Sequence, residues 1–317
     1  MHVFKFGGAS VKDANAVRNL RDILKKFQNG PLVVVISAMD KTTNKLEELV
    51  KVGMEGTSGD KLNAELKDFH AEVAQDLLGR PCRRANDLID ELASESEAIK
   101  GMPWVRAYDR IVPFGELLST SIIADFLSQE IPNQWVDARE VVTTDEFFTE
   151  ANIKWEITEQ KAKAKLLPIL ENKLVVTQGF IGKTESGDTT TLGREGSDFT
   201  GAILASCLDA ESFTVWKDVP GILNADPKLK ENAEQFDQIS YREATEMTYY
   251  GAKVIHPKTL KPLAQKHIPL IVRSFIYHDK KGTQIGDQQS NQILPTFIFK
   301  EIQLLITADV MDHRFLD

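Results

Sequence analysis

The chain is 317 residues long, 42% hydrophobic and 27% charged, with a formal net charge of −9, which suits one large α/β domain or two lobes around a sizeable core. The acidic balance, with no lysine- and arginine-rich run interleaved with aromatics, excludes a nucleic-acid partner. No stretch approaches the roughly 18 uninterrupted apolar residues of a membrane helix, and no basic-then-apolar secretion signal opens the chain, so no membrane partner and a cytoplasmic location are expected.

Met1–Phe6 reads as an apolar strand that runs through Lys5 into Gly7-Gly8 and a helix start. Two glycines let backbone N–H groups approach an anion, a following helix N-terminus adds its dipole, and Lys5 adds a full charge. Such a turn alone serves backbone geometry more often than phosphate binding. Neither G-x-x-x-x-G-K-[ST] nor G-x-G-x-x-G occurs, which excludes the two best-known phosphate loops.

Val17, Leu20, Leu24 and Phe27 predict an amphipathic helix ending near Asn29-Gly30. Pro31–Ser37, rich in β-branched residues, predicts a buried parallel strand. A right-handed crossover then brings Gly7-Gly8 beside Ser37-Ala38-Met39. Gly59 to Gly101 carries no strand signal: Leu62, Leu66, Phe69, Val73 and Leu77 predict a long helix, and a charged helix follows around Leu88-Ile89 and Leu92. A further helix starts near Pro113–Glu116 and turns Leu117, Leu118, Ile122, Ile123 and Phe126 inward.

Strand-like runs at Trp135-Val136, Leu174–Thr177, Phe213–Trp216 and Leu270–Val272 alternate with helices beginning near Ser197, near Tyr241 and after Pro257, the signature of a sheet covered on both faces. Asp279–Gln292 reads as a polar connection, after which Phe297–Phe299 and Ile302–Thr307 look like the opening strand and helix of a second domain. The two cysteines, Cys82 and Cys207, suggest neither a disulfide framework nor a zinc site, and no histidine pair has metal-ligand spacing, so no metal ligands are assigned.

Three segments combine glycine, charge and hydroxyl as a phosphoryl-transfer site demands. Thr189–Asp198 is a polar glycine loop entering a helix, with Ser197 or Asp198 as N-cap, and its Arg194 can fork onto a carboxylate or phosphate. Trp216–Lys228 is a strand ending in Asp218-Val-Pro-Gly221, which two turns would also explain. Gly251–Pro257 places Lys253 in a glycine-initiated bend, where a lone lysine is most often solvated surface.

Taken together, Lys5-Phe-Gly-Gly, Ser37-Ala-Met with Thr43-Asn44, Glu116, Gln178–Gly182, Gly193–Asp198, Asp218–Gly221 and Gly251–Pro257 resemble, in order and spacing, the aspartate kinases of the amino-acid kinase family. The resemblance covers about residues 1 to 290. It implies an α/β three-layer αβα sandwich around a mainly parallel, about eight-stranded sheet. It implies an aspartate-binding N-terminal lobe over about 1–190, an ATP-binding C-terminal lobe over about 191–292, and a truncated start of an ACT regulatory domain over 293–317. The implied reaction is ATP-dependent phosphorylation of the L-aspartate side chain, the entry to lysine, threonine and methionine, with Mg²⁺ bridging nucleotide oxygens.

By the same resemblance, Lys5 stabilises the phosphoryl group in flight and Asp198 orients Lys5. Arg194 clamps the substrate α-carboxylate, Glu116 faces its α-ammonium, and Ser37, Thr43, Phe180 and Ser197 complete the aspartate pocket. Gly7, Gly8 and Ser10, with Lys217, Asp218, Leu223, Lys228, Lys253 and Val254, occupy nucleotide positions. Family members usually assemble through the regulatory part, so a homo-oligomer weakened by its loss is implied.

Four positions depart from the family pattern. Ala9 stands where threonine is usual, Glu195 replaces a glycine in Gly-Arg-Gly-Gly-Ser-Asp, and Lys217 and Leu223 replace threonine and tyrosine. An acidic side chain turned into an anion path costs affinity, whereas one turned to solvent costs little. A weakly active or silent nucleotide- or amino-acid-binding relative, and a glutamate-type kinase, stand as the rival readings.

Overall fold

The computed structural model describes residues 1–225, 230, 232–249, 255–288 and 296–297. In its first half the chain forms β1 (His2–Phe6), α1 (Ala14–Phe27), β2 (Leu32–Ile36), α2 (Thr42–Glu55), α3 (Asp60–Leu78), α4 (Arg83–Ala98), α5 (Trp104–Ile111), α6 (Phe114–Leu127), β3 (Asn133–Val136) and β4 (Thr143–Thr144). Then follow α7 (Trp155–Leu170), β5 (Leu174–Gln178), β6 (Ile181–Thr184), β7 (Thr189–Thr191), α8 (Gly196–Cys207), β8 (Ser212–Lys217), β9 (Gln238–Ser240), α9 (Tyr241–Tyr249), α10 (Pro257–Gln265), β10 (Leu270–Ser274) and β11 (Thr283–Gly286).

Among the described residues the main sheet has eight strands in the order β3-β5-β2-β1-β8-β10-β11-β9. Strands β3 to β10 in that order run parallel; β11 is antiparallel to β10 and carries β9 parallel to itself. This is the implied mainly parallel sheet, and a separate three-stranded sheet of β4, β6 and β7 lies apart from it. The parallel strands are short, continuous apolar runs because both faces are covered. Alternation along β1 and β2 sorts the core: Phe4, Phe6, Leu32, Val34 and Ile36 pack with the α1 and α6 layer, whereas Val3, Val33 and Val35 pack with the α8 layer. Cys82 and Cys207 are buried free thiols. No helix of the described residues is long and apolar enough to cross a membrane.

The structure corrects several local expectations. Gly7-Gly8 does not pass straight into an α-helix: Gly8–Val11 forms a 3-10 turn, and α1 begins only at Ala14, capped by Asp13, whose carboxylate accepts from the Ala16 N–H at 2.8 Å. Helix α8 starts at Gly196 with Glu195 as its cap residue, so neither Ser197 nor Asp198 caps it. The polar connection Asp279–Gln292 contains β11, whose Thr283 and Ile285 are buried among otherwise polar residues. Helix α2 begins before the helical region read from the sequence, burying Leu46, Leu49, Val50 and Gly53 on one face. The second-domain start at Phe297–Thr307 lies outside the described residues except for Phe297, as do Lys228, Lys253 and Val254.

Candidate active site

The strand order reverses between β1 and β8: from β1 the chain crosses to β2 on one side, and β8 joins it on the other. In open α/β sheets the crevice outside the carboxyl ends of strands at such a switch point is the natural ligand site. Here the tips of β1, β2, β5 and β8 deliver Gly7-Gly8, Ser37, Gly179 and Asp218 to one edge. A cleft of about 460 Å³ opens there, lined by Lys5, Gly8, Ser37, Asp40, Thr43, Tyr108, Glu116, Phe180, Gly193–Asp198 and Lys217.

Lys5 shares the face of β1 that holds Val3, so its side chain rises toward α8 rather than α6. There its Nζ lies 2.6 Å from Asp198 Oδ1, in the first turn of α8. Lys217, at the end of the adjoining β8, places its Nζ 3.2 Å from Asp198 Oδ2. Lys5 is 8% exposed and Asp198 3%, so this pair is nearly dry, while Lys217, with its side chain 24% exposed, adds a second cation from the solvent side. Burial works against the Asp198 charge, but Lys5 and then Lys217 outweigh it and hold the carboxyl below its ordinary range.

Glu116 enters from the opposite layer, in the first turn of α6. Its Oε1 accepts from the Ala38 N–H at 3.2 Å, and its Oε2 is buried with no hydrogen-bond partner among the described residues. Burial pushes the carboxyl up to about 8, against the Ala38 N–H, its own N–H and the charge of Lys5. A buried acid with an unused oxygen, lining a cleft, is the complement of a small cation or a hydrogen-bond donor.

The loop between β7 and α8 is set by close packing. Gly179 has no room for a side chain: a Cβ there would lie 2.5 Å from Ser197 Cβ, so the tip of β5 fits against α8 only through glycine. Phe180 is held with φ +74° and donates its N–H to Thr200 Oγ1 at 2.9 Å. Arg194 is exposed and forms no ion pair or hydrogen bond among the described residues, and it lines the same cleft as Lys5.

Of the residues expected from sequence, Lys5, Gly8, Ser37, Thr43, Glu116, Phe180, Arg194, Ser197, Asp198 and Lys217 converge on this cleft. Gly7 lies beside it, where a Cβ would sit 3.3 Å from Lys5 Nζ. Ser10 does not line it: its hydroxyl is buried and donates to the Trp216 carbonyl at 3.3 Å. Asp218 and Leu223 follow β8 outside the cleft wall, Leu223 bridging to Gln235.

Sequence reasoning missed three features. Tyr108 lines the cleft and donates its hydroxyl to Glu47 at 3.3 Å. Asp109, fully buried, accepts from Thr149 N–H at 2.9 Å, Thr191 N–H at 3.0 Å and the Thr191 hydroxyl at 2.7 Å, and burial raises its carboxyl to about 6 despite those bonds. Glu195, half-buried and among the residues lining the cleft, has its carboxylate held by a partner, accepting from the His256 N–H at 3.0 Å. No local signal marked them: Asp109 lies beside Arg110 in an amphipathic helix, as a solvated aspartate would.

Fold and cleft define an open α/β protein with a cationic, anion-receiving crevice at its topological switch point. The chain belongs to the amino acid kinase family, whose model matches residues 1–274. It is 37% identical over 295 residues to the lysine-sensitive aspartokinase 3 of Escherichia coli, covering 91% of this chain and 65% of that protein. It is 34% identical to the chloroplastic aspartokinase 3 of Arabidopsis thaliana, covering 99% of this chain and 58% of that one. Among solved structures, E. coli aspartokinase III in complex with aspartate and ADP superposes with a TM-score of 0.84 at 34% identity, over 92% of this chain and 65% of that one. The chain thus spans 58–65% of the length of these relatives.

Proposed function

We propose that the chain transfers the γ-phosphoryl group of Mg-ATP to the side-chain carboxylate of L-aspartate. The observation that carries this reading is a cationic wall facing a buried carboxyl across one cleft: Lys5 and Lys217 on Asp198 on one side, and Glu116 with an unused buried oxygen on the other. Aspartate is a zwitterion with an extra carboxylate, so it needs one anionic and two cationic partners. Glu116 takes the α-ammonium, Arg194 takes the α-carboxylate, and Ser37, Thr43, Phe180 and Ser197 close the pocket around the side chain. Similarity to a protein crystallised with aspartate and ADP supports the same assignment.

In the transfer, a side-chain carboxylate oxygen of aspartate forms the new O–P bond as the bond from the γ-phosphorus to the β,γ-bridging oxygen breaks, and ADP leaves with that oxygen. The nucleophile is already ionised, so no general base is needed. What is needed is to bring two anions together and to offset charge in flight. Lys5 serves there, held by Asp198, while Gly7 and Gly8 offer backbone donors to the phosphates. Lys217, Asp218, Leu223, Lys228, Lys253 and Val254 serve the nucleotide, dividing an aspartate lobe over about 1–190 from an ATP lobe over about 191–292.

In this reading the ion is carried on the nucleotide phosphates. Mg²⁺ held on those phosphates would supply charge neutralisation for the transfer, beside Lys5 and Lys217. A cytoplasmic location belongs to the same reading.

Hydroxylamine tests it, because it traps an acyl phosphate as a hydroxamate. With Mg-ATP and L-aspartate the protein accumulates aspartyl hydroxamate, and with L-glutamate it does not. Product from glutamate alone, or nucleotide binding with no product, refutes the proposal.

A further inference from the structure

The residue that departs from the family pattern beside the substrate clamp has a defined partner, and the partner's helix grips the same loop twice. Glu195 sits between Arg194 and Gly196 with φ +54° and ψ +26°, a left-handed conformation that side chains adopt only when surroundings enforce it. Its Oε2 accepts from the backbone N–H of His256 at 3.0 Å. Two residues on, Lys258 turns back and donates its Nζ to the Leu192 carbonyl at 2.7 Å, with its ammonium 5.5 Å from the centre of the Phe199 ring. His256 caps α10 at the same point, its Nδ1 accepting from the Lys258 N–H at 3.2 Å.

Arg194 therefore lies in a short loop that is tied on both sides to the first turn of α10: before it through Leu192, after it through Glu195. The loop is also constrained from the opposite direction. Leu192 donates its N–H to the Phe180 carbonyl at 2.8 Å, and Gly193, with φ +71°, packs where a Cβ would meet Glu150 Cγ at 3.0 Å and the Thr149 carbonyl at 3.2 Å. Arg194 itself forms no ion pair or hydrogen bond among the described residues, so its direction is inherited from its neighbours. A guanidinium on a loose loop loses affinity to the entropy of fixing it, whereas one on a fixed loop does not.

We propose that Glu195 and Lys258 are positioning residues that hold the Arg194 loop in register with the cleft, tethering it to the first turn of α10. The inference rests on Arg194 as the clamp for the substrate α-carboxylate. It assigns the acidic residue a role in substrate affinity rather than the repulsive one its charge alone suggests.

Steady-state kinetics of Glu195→Gly, Glu195→Gln and Lys258→Met test it in the hydroxamate reaction. Glu195→Gly suits the left-handed backbone, so it removes the tether without new strain, and Lys258→Met keeps the packing on Phe199. Each raises KM for aspartate about tenfold, the scale of one lost charge-assisted hydrogen bond, while kcat changes less than threefold. Glu195→Gln retains an oxygen for the His256 N–H and recovers most of the affinity. An unchanged KM for aspartate in both tether-breaking variants overturns the inference, as does a fall in kcat and kcat/KM together.

Amide hydrogen exchange separates this from the reading beneath it. Should the wild-type protein make no hydroxamate from aspartate, that reading fails, and the inference that Glu195 and Lys258 position a substrate clamp is overturned with it. Where the wild type is active, residues 193–198 exchange faster in Lys258→Met than in wild type, and equal exchange shows that no tether was lost and refutes the inference alone.

Discussion

Binding of L-aspartate should expel a proton from the protein. Glu116 is buried, one oxygen on the Ala38 N–H and the other unpaired, and its carboxyl titrates at about 8. At pH 7 such a group is about 90% protonated. Once an ammonium group lies against it, the charged form is favoured and the carboxyl falls back toward or below the ordinary range. Binding at pH 7 then releases about 0.9 proton per site, and at pH 9 only about 0.1, because the free site is already ionised.

Calorimetric titration in buffers of different ionisation enthalpy reads this number directly from the slope of observed enthalpy against buffer enthalpy. Glu116→Gln abolishes the buffer dependence and weakens binding. The free protein carries the reverse signature. A carboxyl whose folded pKa stands above its unfolded value lowers stability as pH rises from about 4.5 to about 8, so Glu116→Gln is more stable than wild type above pH 8 by up to a few kcal/mol, and the gap closes near pH 5. Binding without proton release at pH 7, or the same release in Glu116→Gln, refutes the reasoning.

Removing Lys5 should act on turnover rather than on binding: Lys5→Ala lowers kcat by about 10²–10³ and leaves the dissociation constant for aspartate within about threefold, as compared by rate and by titration. Lys217→Thr leaves Asp198 with one cation instead of two, so the hydroxamate rate at Mg-ATP well below saturation falls by about tenfold and is partly recovered at higher Mg-ATP. Asp109→Asn sets an amide among three donors that need acceptors, costing about 1–3 kcal/mol and lowering the melting temperature by several degrees in a calorimetric scan.

Much of the site was legible in the chain because its residues come in short runs at strand tips. Lys5-Phe-Gly-Gly and Ser37-Ala-Met lie at the ends of apolar runs that parallel strands deliver to one edge, whereas Gly193–Asp198 follows the polar β7 of the smaller sheet and is marked by its glycines and Arg194. The strands buried on both faces were legible for the same reason, as continuous β-branched runs. Where burial and local composition disagree, the sequence misled: β11 hides two inward residues in a polar stretch, and α8 takes in Gly196, which packs on Phe180 without room for a side chain and reads locally as loop. Asp109 and the Glu195–His256 bond were invisible because each joins segments far apart in the chain, 82 and 61 residues respectively, and long-range polar pairing leaves no periodicity.

The central claim is that an aspartate oxygen attacks phosphorus in the crevice where Lys5, Lys217 and Asp198 meet. L-Aspartate labelled with ¹⁸O in its side-chain carboxylate, incubated with Mg-ATP and hydroxylamine, tests it by ³¹P NMR of the orthophosphate set free. The account predicts orthophosphate carrying one ¹⁸O atom, formed by the wild-type protein and scarcely at all by Lys5→Ala. Unlabelled orthophosphate from the wild-type protein would mean that water, not the amino acid, receives the phosphoryl group, and would contradict it.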